Sequence, residues 1–129
     1  MSRQSPQCRL RFSEMFRALV EKGAEIIAIP TAFTVSTGEA HWEILMRARA
    51  IECQCYVIGA CQTGTHASGR ETYGHSMIID PWGTILNALP KGVGCISAEI
   101  NLNHLVSVRE KIPMLACREN ENCRIKSRL

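Results

Sequence analysis

The chain has 129 residues, 46% hydrophobic and 21% charged. This is the balance of one globular domain with a real core, and it excludes a disordered chain. The net charge is +3 and is unevenly placed: residues 1–22 carry +3, residues 23–108 carry −3 and residues 109–129 carry +3. Basic ends can attract nucleic acid or anionic lipid. No aromatic residue follows Trp82, however, so the stacking platform of a nucleic-acid binder is missing. The expectation is no nucleic acid, no membrane, and ends that serve solubility.

No apolar run approaches the roughly 20 residues of a membrane-spanning helix. The opening MSRQSPQCRLRF lacks the apolar stretch of a secretory signal, so a cytoplasmic setting is expected. The seven cysteines, at 8, 53, 55, 61, 95, 117 and 123, are an odd set without a C-x-x-C pair. Cys53-x-Cys55 is too tight for a usual zinc knuckle. We therefore expect reduced thiols, several acting as small hydrophobes, with no metal and no cofactor.

In chain order, apolar groups at 12, 15, 16, 19 and 20 predict an amphipathic helix over 12–22, ended by Gly23. Residues 25–30 (EIIAIP) read as a buried strand. Ser36-x-x-Glu39 matches a capping box and opens a helix predicted over 37–54, with Glu43 and Arg47 spaced as an ion pair. Residues 55–61 (CYVIGAC) read as a second buried strand, and 63–72, polar with two glycines, as a loop. Residues 75–80 and 84–88 read as a hairpin around Pro81-Trp82-Gly83, with His75 on the face of Met77 and Ile79. Residues 95–100 read as another strand. Asn101 caps a helix through about Lys111, stopped by Pro113, and the chain from Arg118 onward reads as a polar tail. The order of elements gives an α/β fold in one domain without internal repeats.

The motifs resemble the nitrilase superfamily of carbon–nitrogen hydrolases, nearest to its amidases similar to deaminated-glutathione amidase and ω-amidase. The pieces are Leu10-Arg11-Phe12, AFT at 32–34, GEAHWE at 38–43, RARAIE at 47–52, QCYV at 54–57, YGHSMIIDPWG at 73–83 and Ile112-Pro113. The resemblance implies a leader over 1–9, a partial hydrolase domain over 10–118 and a tail over 119–129. The implied fold is the C-terminal half of a four-layer αββα sandwich. A sheet face with part of its cover gone would follow, and with it self-association or pairing with a homologue.

The resemblance also implies a chemistry. A cysteine thiolate attacks a small carboxylate-bearing amide, a glutamate moves protons, and a lysine holds the oxyanion, releasing acid and ammonia. In the family the glutamate and lysine lie upstream of the segment this chain matches. The nucleophile slot, five residues before Phe12, falls on Gln7. Cys8 is the candidate left, one position late, and on a strand that shift turns a side chain to the opposite face. Cys53 stands where asparagine is usual. The expectation is therefore no complete catalytic set. Arg11 is the implied carboxylate ligand, since a guanidinium pairs with carboxylate in bidentate fashion. Thr37 is a second ligand, with Phe33 and Ala32 lining the pocket. His41 and Glu43 are expected to pack and pair at the surface rather than catalyse. Tyr73 and His75 are possible pocket borders, and His66 and His104 carry no specific signal.

Overall fold

The computed structural model describes residues 6–119, with side chains described from Arg9 to Arg118. Two helices come first, α1 (Pro6–Arg11) and α2 (Ser13–Glu21), the latter burying Phe16 and Val20. Strand β1 (Ile26–Thr31) follows. A continuous helical stretch then runs through α3 (Val35–Thr37), a π turn (Gly38–Trp42) and α4 (Glu43–Cys53). Strand β2 (Tyr56–Cys61) leads into a ribbon, β3 (Thr63–Thr65) and β4 (Glu71–Tyr73), and a hairpin, β5 (Met77–Ile79) and β6 (Ile85–Ala88). Helices α5 (Leu102–Lys111) and α6 (Met114–Glu119) complete the described chain.

The main sheet has the order β1-β2-β5-β6; β1 pairs parallel to β2 and the other neighbours are antiparallel. Register decides which side chains share a face. Ile27, Ile29 and Thr31 stand beside Val57, Gly59 and Cys61, and these continue to Ile79 and Met77. Of these, every residue is buried. The helical layer lies on this face. A Cβ on Gly59 would come within 2.4 Å of Met46 and 2.7 Å of Trp42, so the absent side chain is what lets helix and strand close.

The opposite face is barer. Ile26, Ala28, Pro30 and Ala60 are exposed, while Tyr56 and Ile78 are buried at the end nearer α5. There the Tyr56 hydroxyl donates to the Asn101 carbonyl at 3.0 Å and accepts from the Asn101 amide at 3.1 Å. β1 is an edge strand. The strand read as wholly buried over 25–30 thus alternates, exposed then buried, because only one of its faces carries helices.

Three buried or half-buried side chains tie the layers. Arg49 donates through Nε to the Leu10 carbonyl at 3.0 Å and through Nη1 to Glu52 at 2.6 Å, with its guanidinium over the Phe16 ring. Arg109 reaches the carbonyls of Gln54 and Ala24. Gln54 adopts a left-handed conformation (φ 48°, ψ 53°) that ends α4, and its side chain donates to the Ile112 carbonyl at 2.7 Å.

Several expectations need correction. The Ser36-x-x-Glu39 box does not form: Thr34 precedes α3 in an extended conformation and no side chain caps that end. Residues 63–72 are not only loop, since their two ends pair as β3 and β4 across the Gly69 turn. Residues 95–100 alternate in burial as a strand would, yet no described strand pairs with them. A backbone without a ladder neighbour is not a strand. His75 lies before β5 in a left-handed conformation (φ 58°), so strand alternation does not place it. The polar tail expected from Arg118 onward begins inside a helix, since α6 runs to Glu119, and residues 120–129 lie outside the described residues.

Asn101 does cap α5, its side chain accepting from the Asn103 and His104 amides. Glu43 and Arg47 do pair, at 3.6 Å and half-exposed. No helix among the described residues is long and apolar enough to cross a membrane.

Candidate functional site

Arg11, Phe33, Thr37, His41, Tyr73 and His75 lie where α1, the segment after β1, the π turn and β4 approach one another. Arg11 ends α1 and is exposed. One of its terminal nitrogens lies 3.3 Å from His41 Nδ1. Its guanidinium carbon stands 5.6 Å from the centre of the Phe33 ring, within cation–π reach. Phe33 itself is fully buried, its ring 5.3 Å from that of Trp42 and tilted to it. Phe33 is thus a wall against which Arg11 lies rather than an open pocket surface.

The chain leaves β1 and turns at once into helix. Thr34 Oγ1 and Thr37 Oγ1 are 2.8 Å apart, and the Thr37 hydroxyl also reaches the Thr34 carbonyl at 3.3 Å. The Phe33 carbonyl accepts from the Tyr73 amide at 2.9 Å, and Thr34 bridges to Thr72. These bonds join the segment after β1 to the ribbon. A Cβ on Gly38 would meet the Tyr73 ring at 2.2 Å, so glycine is what admits that ring against the π turn. Such turns insert one extra residue and often accompany functional sites.

Tyr73 and His75 stack with centroids 3.9 Å apart, and His75 Nδ1 is 2.7 Å from the Tyr73 carbonyl. Trp42 Nε1 donates to the His75 carbonyl at 2.7 Å. A buried indole therefore fixes the backbone of the residue that stacks on Tyr73. The sequence offered Tyr73 and His75 as borders of a pocket but not as a stacked pair, and the left-handed residue that brings the rings together has no simple signature.

Ala32 belongs to a different surface. With Arg9, Met15, Leu19, Ala28, Pro30 and others it lines a cavity of about 600 Å³ beside β1 and α2. Arg11, Phe33 and Thr37 are not among that cavity's lining residues. Thr31, also on the cavity wall, has a buried hydroxyl with no hydrogen-bond partner among the described residues. The four implied substrate-site residues thus fall into a cluster of Arg11 and Phe33, a neighbouring Thr37, and Ala32 on the cavity side.

Residue 8 is helical, within α1. The strand argument about its direction is therefore replaced by a helical one, in which a shift of one residue turns a side chain by about 100°. The side chains of Gln7 and Cys8 lie outside the described ones. Burial pushes the Cys61 thiol up, though backbone hydrogen bonds from Phe33 and Gly74 oppose it. His104, without a signal in the sequence, lies 3.2 Å from the Asp80 carboxylate, whose other oxygen accepts from the Trp82 and Thr84 amides. Spacing of 24 residues hid that pair. Among the described residues no three His, Cys, Asp or Glu side chains are grouped to hold a metal ion.

The pattern of known proteins agrees with these motifs. The profile of the carbon–nitrogen hydrolases matches residues 9–110. The chain belongs to the carbon–nitrogen hydrolase family. Among curated carbon–nitrogen hydrolases it is similar to the deaminated glutathione amidase of Bos taurus, 51% identical over 105 residues, which is 81% of this chain and 32% of that protein. It is also similar to the deaminated glutathione amidase of Dictyostelium discoideum, 49% identical over 90% of this chain and 40% of that protein.

Among solved structures, the C. elegans NitFhit protein superposes with a TM-score of 0.83 and 45% identity, over 86% of this chain and 27% of that one. Saccharomyces cerevisiae Nit3, a member of branch 10 of the nitrilase superfamily, gives 0.81 and 33%, over 87% and 41%. The α/β fold is thus that of nitrilase-superfamily structures over part of their length. The chain spans about a third of the length of the first curated relatives it matches.

Proposed function

We propose that this carbon–nitrogen hydrolase segment carries the carboxylate-reading side of an amidase site and turns over no amide by itself. The observation that carries the reading is the placement of Arg11: an exposed guanidinium against the buried Phe33 ring, the residue that the paired hydroxyls of Thr34 and Thr37 follow in the chain. A planar cation backed by an aromatic wall, with hydroxyls following in the chain, suits a substrate carboxylate. The similarity to deaminated glutathione amidases supports a small amide bearing a carboxylate as the substrate class.

Hydrolysis of an unactivated amide needs a nucleophile, a proton-transfer group and an oxyanion partner acting together. Gln7 occupies the nucleophile slot, and a carboxamide does not attack. The resemblance puts the glutamate and lysine upstream of the matched segment. Without that set, many kcal/mol of barrier reduction are missing.

Two measurements test the reading on the 129-residue chain. Ammonia release from a panel of carboxyamides should stay at background. Turnover that Cys8→Ala abolishes would overturn the claim of inactivity. Titration with succinamate, followed by NMR, should show binding that Arg11→Met weakens at least tenfold; equal binding by that variant would remove Arg11 from the role.

A second reading is non-catalytic pairing, with another copy or with a full-length homologue. It is favoured by the exposed apolar residues Ile26, Ala28, Pro30 and Ala60 on one sheet face. Light scattering of the chain, alone and mixed with a full-length amidase, tests it: a strictly monomeric, non-binding chain would refute it. The proposal includes a cytoplasmic, reducing setting, in which the five described cysteines, all free, would stay reduced.

A further inference from the structure

The outer margin of β1 is open. The Glu25 carbonyl accepts from the Tyr56 amide and the Thr31 carbonyl from the Gln62 amide, both on the β2 side. In a parallel pair the N–H and C=O of one residue point the same way, so Ile27 and Ile29 face β2 as well. The backbone groups of Ile26, Ala28 and Pro30 therefore face outward, where the sheet has no further strand among the described residues. Beside that margin runs the cavity of about 600 Å³. Met15 and Leu19 of α2 are exposed along its wall, and Arg9 lines it together with Thr31 and Ala32, at the end of β1.

The margin fits a copy of itself. Ile26 and Ala28 each offer an N–H, and Pro30 offers only a carbonyl. In an antiparallel pair centred on Ala28, Ala28 stands opposite Ala28 and Ile26 opposite Pro30 of the second copy. The opposed Ala28 residues exchange N–H···O=C bonds, and each Ile26 N–H meets the carbonyl of the opposed Pro30. Both outward donors of each copy are then satisfied, and only the Ile26 carbonyl is left without one. Centring the pair on Ile27 would satisfy the same donors, but over residues 26–28 alone.

Charge favours the longer overlap. Glu25 is exposed at the start of β1, and Arg9 lines the cavity at the strand's other end. Pairing centred on Ala28 sets Glu25 of each copy opposite Thr31 of the other, at the cavity that holds Arg9. Opposite charges then meet on both sides of a two-fold axis. A parallel copy would bring like ends and like charges together.

We propose that β1 pairs with β1 of a second copy of this chain, antiparallel and centred on Ala28, to form a closed two-fold dimer with one continuous sheet. The proposal rests on the pairing reading given above and names both the partner and the contact. The entering strand occupies the cavity beside β1 and covers Met15 and Leu19, which adds apolar burial to the backbone bonds.

The test uses the 129-residue chain. Sedimentation equilibrium should report twice the chain mass. Amide exchange followed by NMR should slow at Ile26 and Ala28 as protein concentration rises. Ala28→Pro removes the central donor without touching a bond to β2, and should leave a monomer with unchanged circular dichroism. Arg9→Glu and Glu25→Arg should each weaken the dimer about tenfold, and the two together should restore it. Both lie outside β1, so they decide the matter if Ala28→Pro does not fold. A double variant no tighter than the single ones would overturn the register. A dimer whose Ile26 and Ala28 amides exchange as fast as in the monomer would overturn the edge contact and leave pairing through another face. A chain that is monomeric alone yet binds a full-length amidase would overturn self-pairing, and one that does neither would overturn the broader reading too.

Discussion

The two faces of the main sheet are built from the same kinds of residue and meet different fates. On the helical side Ile27, Ile29, Val57, Met77 and Ile79 disappear beneath Trp42 and Met46. On the other side Ile26 remains 44% exposed, with Ala28, Pro30 and Ala60 also open, and only the end near Asn101 is closed. Hydrophobicity alone does not decide burial; what decides is whether an element of the right shape is at hand to cover it. Gly59 makes the point at atomic scale, because the helical layer approaches only where a side chain is missing.

Substitutions on the two faces should separate this difference in order of size. Trp42→Ala removes a fully buried ring that also donates to the His75 carbonyl. It should cost about 3–5 kcal/mol in urea unfolding followed by circular dichroism, a large share of the roughly 5–15 kcal/mol that holds a small domain together. Gly59→Val should cost about 1–3 kcal/mol by overpacking against Met46 and Trp42. Equal stability of the two proteins would mean that the helical layer is not seated as described.

At the closed end of the open face, Asn101→Ala should cost about 1 kcal/mol through the lost cap of α5. Amide exchange should rise first at Asn103 and His104, whose N–H groups that side chain accepts. Ile26→Ser should change unfolding by less than about 0.5 kcal/mol, as exposed positions do. The same variant should lower any self-association seen by light scattering. An Ile26→Ser effect as large as that of Gly59→Val would erase the distinction between the faces.

Much of this was legible in the sequence, for local reasons. Asn101 announced a helix start because a cap is a matter of one side chain and the next amides. The Glu43–Arg47 pair needed only helical spacing. The strand and helix order followed from periodicity. What escaped depended on partners distant in sequence. The alternation at 95–100 is that of a strand, but no described strand pairs with it. The Ser36-x-x-Glu39 box lost to Thr34, since the chain leaving β1 turns into helix two residues earlier.

The candidate site was legible only as separate motifs. Arg11 and Phe33 do meet, but the motif gave no sign that Phe33 is core and Ala32 faces a separate cavity. The stacking of Tyr73 on His75 rests on a left-handed residue and on an indole from another element. The nearness of His104 to Asp80 needed the third dimension altogether.

Pro30 has a consequence for how the bare side of β1 behaves. The carbonyls of Glu25 and Thr31 accept amides from the β2 side, so alternate residues, Pro30 among them, turn their backbone groups away from the sheet. A proline there presents no N–H. An incoming chain that zips along this margin finds donors only at Ile26 and Ala28, a grip too brief to template the long, repeating ladders from which fibrils grow.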